Sequence, residues 1–323
     1  MLIAITMGDA SGVGPELVLK AFIEKQIDKD FVVIGDYEVL NYCKELLGYE
    51  LSIRIVKDVT DVQEGFLNIV DMGLLKRDEV TIGKISKAAG AAARKYVEYA
   101  TSLALHKKID AMVTLPMNKE STRLSDENFS GHTELIAKMC NQTNYTMMLA
   151  SDKLVVTHVS THVSMEDAIR FVKKDRVYEV IKLTNDALSR FIKHPRLAVA
   201  GLNAHAGENG SFGKEDVNEI YPAVLRAKEE GLQVEGPIAP DTVFLKAYKK
   251  QYDAVVCMYH DQGHIPMKLL DFEGGVNVTL GLAVIRTSVD HGTAFDIAYQ
   301  GIASTRSLVE AFKFAANLVE HRL

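Results

Sequence analysis

The chain has 323 residues, 47% hydrophobic and 25% charged, a composition typical of a folded protein of two α/β domains and not of a disordered or fibrous one. Its net charge of −6, with both signs well mixed, argues against a nucleic-acid-binding protein, and no apolar run approaches the roughly 18 residues of a membrane span. Three widely spaced cysteines without a CxxC motif, and an N-terminus without a signal-peptide pattern, predict a cytoplasmic protein.

Short apolar runs rich in β-branched residues alternate with helical patterns along the whole chain. Several runs are apolar throughout, which is typical of strands buried on both faces of a largely parallel sheet. The predicted strands cover residues 2–6, 31–34, 52–56, 67–70, 111–115, 145–149, 154–159, 197–202 and 254–259. The predicted helices cover about 15–25, 82–106, 132–140, 165–192, 215–230, 241–250 and 304–321. This alternation indicates an α/β sandwich, with an irregular polar segment at 118–131.

Several histidines directly follow apolar strands or lie in glycine-rich turns, where open α/β sheets bind their ligands. His162, His205 and His260 each follow a separate predicted strand. Imidazole suits zinc and cobalt, and three protein ligands leave an open position for substrate or water. The pattern therefore suggests a metal site, with the alternative that each histidine is a hydrogen-bonded structural residue.

The string VVTHVSTHVS contains His158 and His162, four residues apart. Its Val and Thr residues predict a strand, along which four residues span about 13 Å, so the two rings could not share one ion. Ser164 and Asp167 predict the start of a helix, which places His162 at the strand tip and His158 deeper. We therefore prefer His162 as the ligand.

Six longer strings carry a family resemblance. They are GDASGVGPE (8–16), PMNKES (116–121), GHTE (131–134), GLNAHAGENG (201–210), MYHDQGHIPMK (258–268) and VNVTLGLAVIRTSVDHGTAFDIA (276–298). Present in this order over nearly the whole chain, they make it resemble the 4-hydroxythreonine-4-phosphate dehydrogenase (PdxA) family of pyridoxal phosphate and pyridoxine biosynthesis. The resemblance implies a homodimer with its active site at the subunit interface. It also implies a two-domain α/β/α sandwich similar to the isocitrate and isopropylmalate dehydrogenases.

The resemblance also implies roles for particular residues. The family's metal-binding histidines match His162, His205 and His260, so one divalent ion (zinc, cobalt or magnesium) is expected there. Its substrate contacts match His132, Thr133, Lys268, Asn277 and Arg286. HGTAFDIA resembles the adenosine-binding loop of the isocitrate dehydrogenase group, although Phe295 replaces a proline. It suggests NAD or NADP contacts at Gly281, His291, Gly292, Thr293 and Asp296.

The expected domains are residues 1–130 plus about 295–323, and about 131–294 with most metal and substrate residues, the active site lying in the cleft between them. The expected reaction is oxidation, with decarboxylation, of a small 4-phosphorylated 3-hydroxy acid. Lys119, Asp241 and Asp261 are the candidates for the general base, with the alternative that Asp241 only caps a helix.

Two strings depart from the family pattern. GDASGVGPE has Ala10-Ser11 where Pro-Ala is usual, while HAGENG and HDQGHIPMKLL are closer to a branch that oxidises D-threonate or D-erythronate 4-phosphate. The substrate's C2 substituent, amino or hydroxyl, therefore stays open. So do the preferred metal and the choice between NAD and NADP. A zinc-dependent hydrolase on the same three histidines and a non-catalytic phosphate-ligand sensor are the alternatives from other classes.

Overall fold

A computed structural model describes residues 1–321, which form two compact units. Unit 1 comprises residues 1–143 and 282–320, and unit 2 comprises residues 144–281 with His321. Within the described residues no helix has both the length and the apolar character that crossing a membrane requires.

The strands of unit 1 are parallel to their neighbours and lie in the order β3-β4-β2-β1-β5-β12. They are β1 (Ile3–Thr6), β2 (Phe31–Gly35), β3 (Ile53–Ile55), β4 (Leu67–Asp71), β5 (Ala111–Thr114) and β12 (Arg286–Val289). Every residue of β1, β2, β5 and β12 is buried. This burial on both faces explains the continuous apolar runs in three of these four strands.

Six α-helices of the described residues belong to unit 1. They are α1 (Gly14–Ile23), α2 (Tyr37–Leu47), α3 (Lys87–Leu105), α4 (Lys119–Arg123), α5 (His132–Met139) and α11 (Arg306–Glu320). Pro15 lies in the first turn of α1, where its missing N–H costs no helical hydrogen bond. The Ser86 side chain caps α3 by accepting a hydrogen bond from the Ala89 N–H.

The strands of unit 2 lie in the order β11-β6-β7-β10-β8-β9. They are β6 (Thr146–Ala150), β7 (Val155–His158), β8 (Arg196–Ala200), β9 (Gln233–Ile238), β10 (Ala254–Cys257) and β11 (Val276–Leu280). β6 is antiparallel to both β7 and β11, and the other pairs are parallel.

The helices of unit 2 are α6 (Met165–Phe171), α7 (Lys174–Leu188), α8 (Tyr221–Glu229), α9 (Pro240–Tyr248) and α10 (His260–Leu270). The apolar sides of α7 to α10 complete two hydrophobic clusters with the strands, one containing Val180 and Val224 and the other Val243 and Met267. As predicted, Ser164 caps α6 by accepting a hydrogen bond from the Asp167 N–H at 3.1 Å.

The structure confirms the α/β class and adds elements that the sequence patterns did not predict, namely α2, α4, α10, β9, β11 and β12. The predicted helix 165–192 is two helices, because Val172 and Lys173 leave the helical conformation. The segments 131–143 and 282–294, expected in the second domain, belong to unit 1. The physical reason is that β12 pairs with β5 and α5 packs on α3.

Candidate active site

Four imidazole rings of unit 2 lie close together. The ring centres of His260 and His264 are 3.5 Å apart, and their planes differ by only 13°. The ring centre of His158 lies 4.8 Å from that of His264 and 6.3 Å from that of His260, and His162 lies 5.7 Å from His260. Two of the predicted metal ligands, His162 and His260, are therefore neighbours. The other two rings were not assigned a role from the sequence.

His260 occupies the first position of α10, which follows β10 after only Met258 and Tyr259. Its Nδ1 lies 2.7 Å from Oδ1 of Asp261, which leaves Nε2 as the ring nitrogen able to coordinate an ion. The predicted general base Asp261 is thus paired with a predicted metal ligand.

His158 is the last residue of β7 and is buried. Burial, together with the nearby His264, lowers its pKa to about 3, and its Nε2 has no hydrogen-bond partner. A Cβ on Gly263 would lie 2.5 Å from that Nε2, so α10 approaches the ring only because residue 263 is glycine. The expectation that the strand continues from His158 to His162 is wrong. The strand ends at His158, and His162 lies in a loop with a positive φ of 47°.

His205 lies in a tight turn, Ala204–Gly210, where the five residues 205–209 all have positive φ. The buried carboxylate of Asp216 anchors the start of this turn, since it accepts hydrogen bonds from the N–H groups of Leu202 (2.8 Å) and Asn203 (3.1 Å). Left-handed backbone at non-glycine residues is strained and is often found at functional sites. The exposed His205 ring contacts Phe212, with ring centres 6.0 Å apart.

The donor chemistry of these residues fits a divalent ion. Two imidazoles on one tetrahedral zinc have ring centres roughly 5 Å apart, close to the separation of 5.7 Å between His162 and His260. Within residues 1–321, however, no group of three or more His, Cys, Asp or Glu side chains is arranged to hold a metal ion. The structure thus pairs two of the predicted ligands and does not bring His205 into a group of three.

Predicted substrate residues of unit 1 surround a buried cation. Arg286 is 3% exposed, and its guanidinium donates to the Thr114 hydroxyl at 2.7 and 3.1 Å. Burial lowers its pKa to about 10, so it remains charged at neutral pH. Burial also lowers the pKa of His132 to about 3, and the charges of Arg286 and Lys119 add to this effect. The His132 ring is therefore neutral and lies within electrostatic range of both Arg286 and Lys119.

His132 and Thr133 begin α5, whose first N–H groups point out of the helix and favour an anion. The buried Nε2 of His132 has no hydrogen-bond partner, while the ring bonds to the backbone of Leu115. A free ring nitrogen, a helix N-terminus and a buried guanidinium together make a local environment suited to a phosphate or carboxylate group.

The predicted substrate residues of unit 2 lie on α10 and β11. The Lys268 ammonium is 5.2 Å from the ring centre of Phe272. The side-chain Oδ1 of Asn277 is buried without a hydrogen-bond partner. Such an oxygen is costly unless a ligand or water donates to it. The third candidate base, Asp241, is exposed in the first turn of α9, where a carboxylate is favoured by the helix dipole alone.

The predicted cofactor loop packs on the first turn of the chain. The Val13 N–H donates to the Thr293 carbonyl at 3.0 Å, and a Cβ on Gly12 would lie 2.6 Å from that oxygen. His291, Gly292 and Asp296 are exposed. Gly281 lies in unit 2, where a Cβ would lie 2.3 Å from the Asn144 carbonyl oxygen. Close packing therefore requires glycine at this position, whether or not it contacts the cofactor.

Asp9 is a buried residue that the sequence analysis did not single out, although it lies in the GDASGVGPE string. Its N–H donates to the Pro116 carbonyl (2.8 Å), and its Oδ1 accepts from the Ser11 N–H (2.9 Å). Burial raises its pKa to about 6, opposed in part by hydrogen bonds from Ser11, Asn118 and Ser121. Asp9 therefore ties the first turn to the turn that carries Lys119.

Comparison with known proteins places the chain in a family. Residues 27–315 match the family model of the pyridoxal phosphate biosynthetic protein PdxA. The D-threonate 4-phosphate dehydrogenase of Salmonella typhimurium strain LT2 is 44% identical over 322 residues, which cover 98% of each protein.

Two solved structures are also similar over nearly the full length. The 4-hydroxythreonine-4-phosphate dehydrogenase of Klebsiella pneumoniae superimposes with a TM-score of 0.87 at 38% identity, covering 98% of this chain and 99% of that one. The corresponding protein of Burkholderia phymatum gives a TM-score of 0.84 at 44% identity, with 98% of both chains covered. The chain therefore belongs to the PdxA family and is a dehydrogenase.

Proposed function

We propose that the protein oxidises the C3 hydroxyl of a 4-phosphorylated hydroxy acid, D-threonate or D-erythronate 4-phosphate or 4-hydroxythreonine 4-phosphate, with NAD or NADP as the hydride acceptor. Oxidation gives a 3-oxo acid, reduced cofactor and one proton. The oxo acid then loses its carboxylate as CO2 and takes up a proton at C2. The names of the relatives support this substrate class.

The observation that carries the proposal is the buried guanidinium of Arg286 beside the neutral ring of His132. A buried cation is stabilised strongly by an anion that supplies several acceptors, and phosphate and carboxylate both do so. His132 can donate or accept one hydrogen bond without adding charge, and Thr133 adds a helix N-terminal N–H. In unit 2, Lys268 and the unpartnered Oδ1 of Asn277 supply a cation and an acceptor for the substrate.

A divalent ion would be held by His162, His205 and His260. When bound, it supplies a Lewis acid that lowers the pKa of the substrate hydroxyl. Asp261 orients His260 by holding its Nδ1, a role that accounts for this carboxylate without making it the base. The turn at 204–210, anchored by Asp216, presents His205.

We assign acceptance of the hydroxyl proton to Lys119 in its deprotonated, neutral amine form. Of the three candidate bases, it is the one beside predicted substrate residues, since its charge lowers the pKa of His132 and its Cε lies 3.6 Å from a Cβ built on Gly131. Asp241 is exposed at a helix start, and Asp261 is engaged with His260. The cofactor contacts proposed from the sequence remain His291, Gly292, Thr293 and Asp296 in unit 1 and Gly281 in unit 2.

We further propose a homodimer with the active site at the subunit interface. Ile265 and Leu269, one helical turn apart on α10, and Phe272, just past the end of that helix, are 64%, 84% and 71% exposed. Such an apolar stripe beside Lys268 is suited to burial against a second copy of the chain. Leu269→Asp should give a monomer in light scattering, whereas Leu46→Asp, at a site that is 51% exposed in unit 1, should not. A dimer that persists in Leu269→Asp would exclude this surface.

The substrate is tested by assaying D-threonate 4-phosphate and 4-hydroxythreonine 4-phosphate side by side with NAD and a divalent ion. NADH formation with one or both supports the proposal, and the ratio of kcat/KM identifies the C2 substituent. Absence of NADH with both would refute it. Hydrolysis without any nicotinamide would favour the zinc hydrolase, and tight binding without turnover would favour the sensor.

A further inference from the structure

His264 lies one helical turn after His260 on α10, is 6% exposed, and is absent from the proposed ligand set. Its Nδ1 is 3.0 Å from the backbone carbonyl of His260, which can only accept, so Nδ1 carries the proton. This hydrogen bond, together with the neighbouring ring of His158 at 4.8 Å, fixes the orientation of the His264 ring.

The fixed ring lies flat against His260. The two ring centres are 3.5 Å apart and the planes are nearly parallel, at 13°. His260 also makes a hydrogen bond to Asp261, whose side chain is 68% exposed. An exposed carboxylate on a rotatable side chain holds a partner weakly. The stacked, buried ring therefore adds a restraint on the plane of His260 that this hydrogen bond alone does not supply.

We propose that His264 is a positioning residue that fixes the imidazole plane of His260 for metal coordination, and is not itself a ligand. This inference rests on the proposed metal site. Residues that orient a metal ligand typically change metal affinity by about 10- to 100-fold when replaced. Because the restraint comes from a flat ring, a planar replacement should preserve it and a branched aliphatic one should not.

The test is the Zn²⁺ affinity of the full-length, chelator-treated protein, measured by competition with a chromophoric chelator. We expect His264→Leu to bind Zn²⁺ about 10- to 100-fold more weakly than the unaltered chain. His264→Phe, which keeps a ring against His260, should recover most of that loss. His194→Leu, at an exposed histidine of the same unit, is the matched control and should leave the affinity unchanged. Far-ultraviolet circular dichroism checks the fold of each variant.

Three results would overturn the inference while leaving the metal site intact. They are an unchanged affinity in His264→Leu, an affinity in His264→Phe as low as in His264→Leu, and a complete loss in His264→Leu equal to that of His260→Ala, which would make His264 a ligand. If the unaltered chain binds no Zn²⁺, the proposed metal site itself fails and the inference falls with it.

Discussion

The neutral ring of His132, whose Nε2 is buried, makes the stability of the fold depend on pH in a defined direction. Its pKa in the folded chain is about 3, against 6.5 for an unperturbed histidine, and burial is the main cause. Below pH 6.5 the unfolded chain takes up a proton that the folded chain does not bind until about pH 3. Neutral His132 therefore costs the folded chain no stability above pH 6.5, and the free energy of unfolding falls as the pH drops below that value.

The size of the effect follows from proton linkage. Each pH unit between the two pKa values changes the free energy of unfolding by at most about 1.4 kcal/mol, so the step from pH 6 to pH 4 costs the folded chain about 2 to 3 kcal/mol through this one residue. His132→Gln, which has no titrating group, should lack this component. The difference in stability between the two proteins should therefore shift by about 2 to 3 kcal/mol over the same range in favour of the variant.

The assay is urea unfolding at several pH values, followed by far-ultraviolet circular dichroism because the chain contains no tryptophan. Other buried groups also titrate, but they contribute equally to both proteins and cancel in the difference. Unfolding free energies of the two proteins that stay parallel from pH 6 to pH 4 would refute the reasoning, because His132 would then titrate alike in the folded and unfolded chains.

Three substitutions test other contacts of the candidate site. Arg286→Met should lower kcat/KM about 10- to 100-fold by removing charged hydrogen bonds to the substrate, and unchanged steady-state kinetics would exclude that role. Gly263→Ala should destabilise the fold by about 1 kcal/mol in thermal unfolding, since the clash with His158 at 2.5 Å outweighs the gain in helix propensity. Asp216→Ala should cost about 3 kcal/mol and weaken metal binding by freeing the turn of His205; wild-type values for both would contradict this.

The strands of both units could be predicted where burial on two faces selects continuous apolar runs, as in β1 and β10. β11 and β12 were missed because they contain polar residues, among them Asn277 and Arg286, which bear on the proposed function. Because β12 was not predicted, its pairing with β5 could not be predicted either, and the expected domain boundaries differ from the units for that reason.

An unpredicted element also limited the analysis of the histidines at the candidate site. α10 was not predicted because Gly263 and Pro266 resemble turn residues, although Gly263 is required for close packing and Pro266 lies inside the helix. Treating the segment as a loop concealed the helical i, i+4 relation of His260 and His264, which was the signal that could have found the stacked pair. The positive φ of His205 depends on the anchoring of its turn by Asp216 and has no local sequence signature.

The most direct test of the central claim is NADH formation by chelator-treated enzyme with the phosphorylated substrate and NAD, before and after a divalent ion is added. The account predicts no turnover before addition, recovery afterwards, and no recovery in His205→Ala. Full turnover by the ion-free enzyme, or full recovery in His205→Ala, would contradict it.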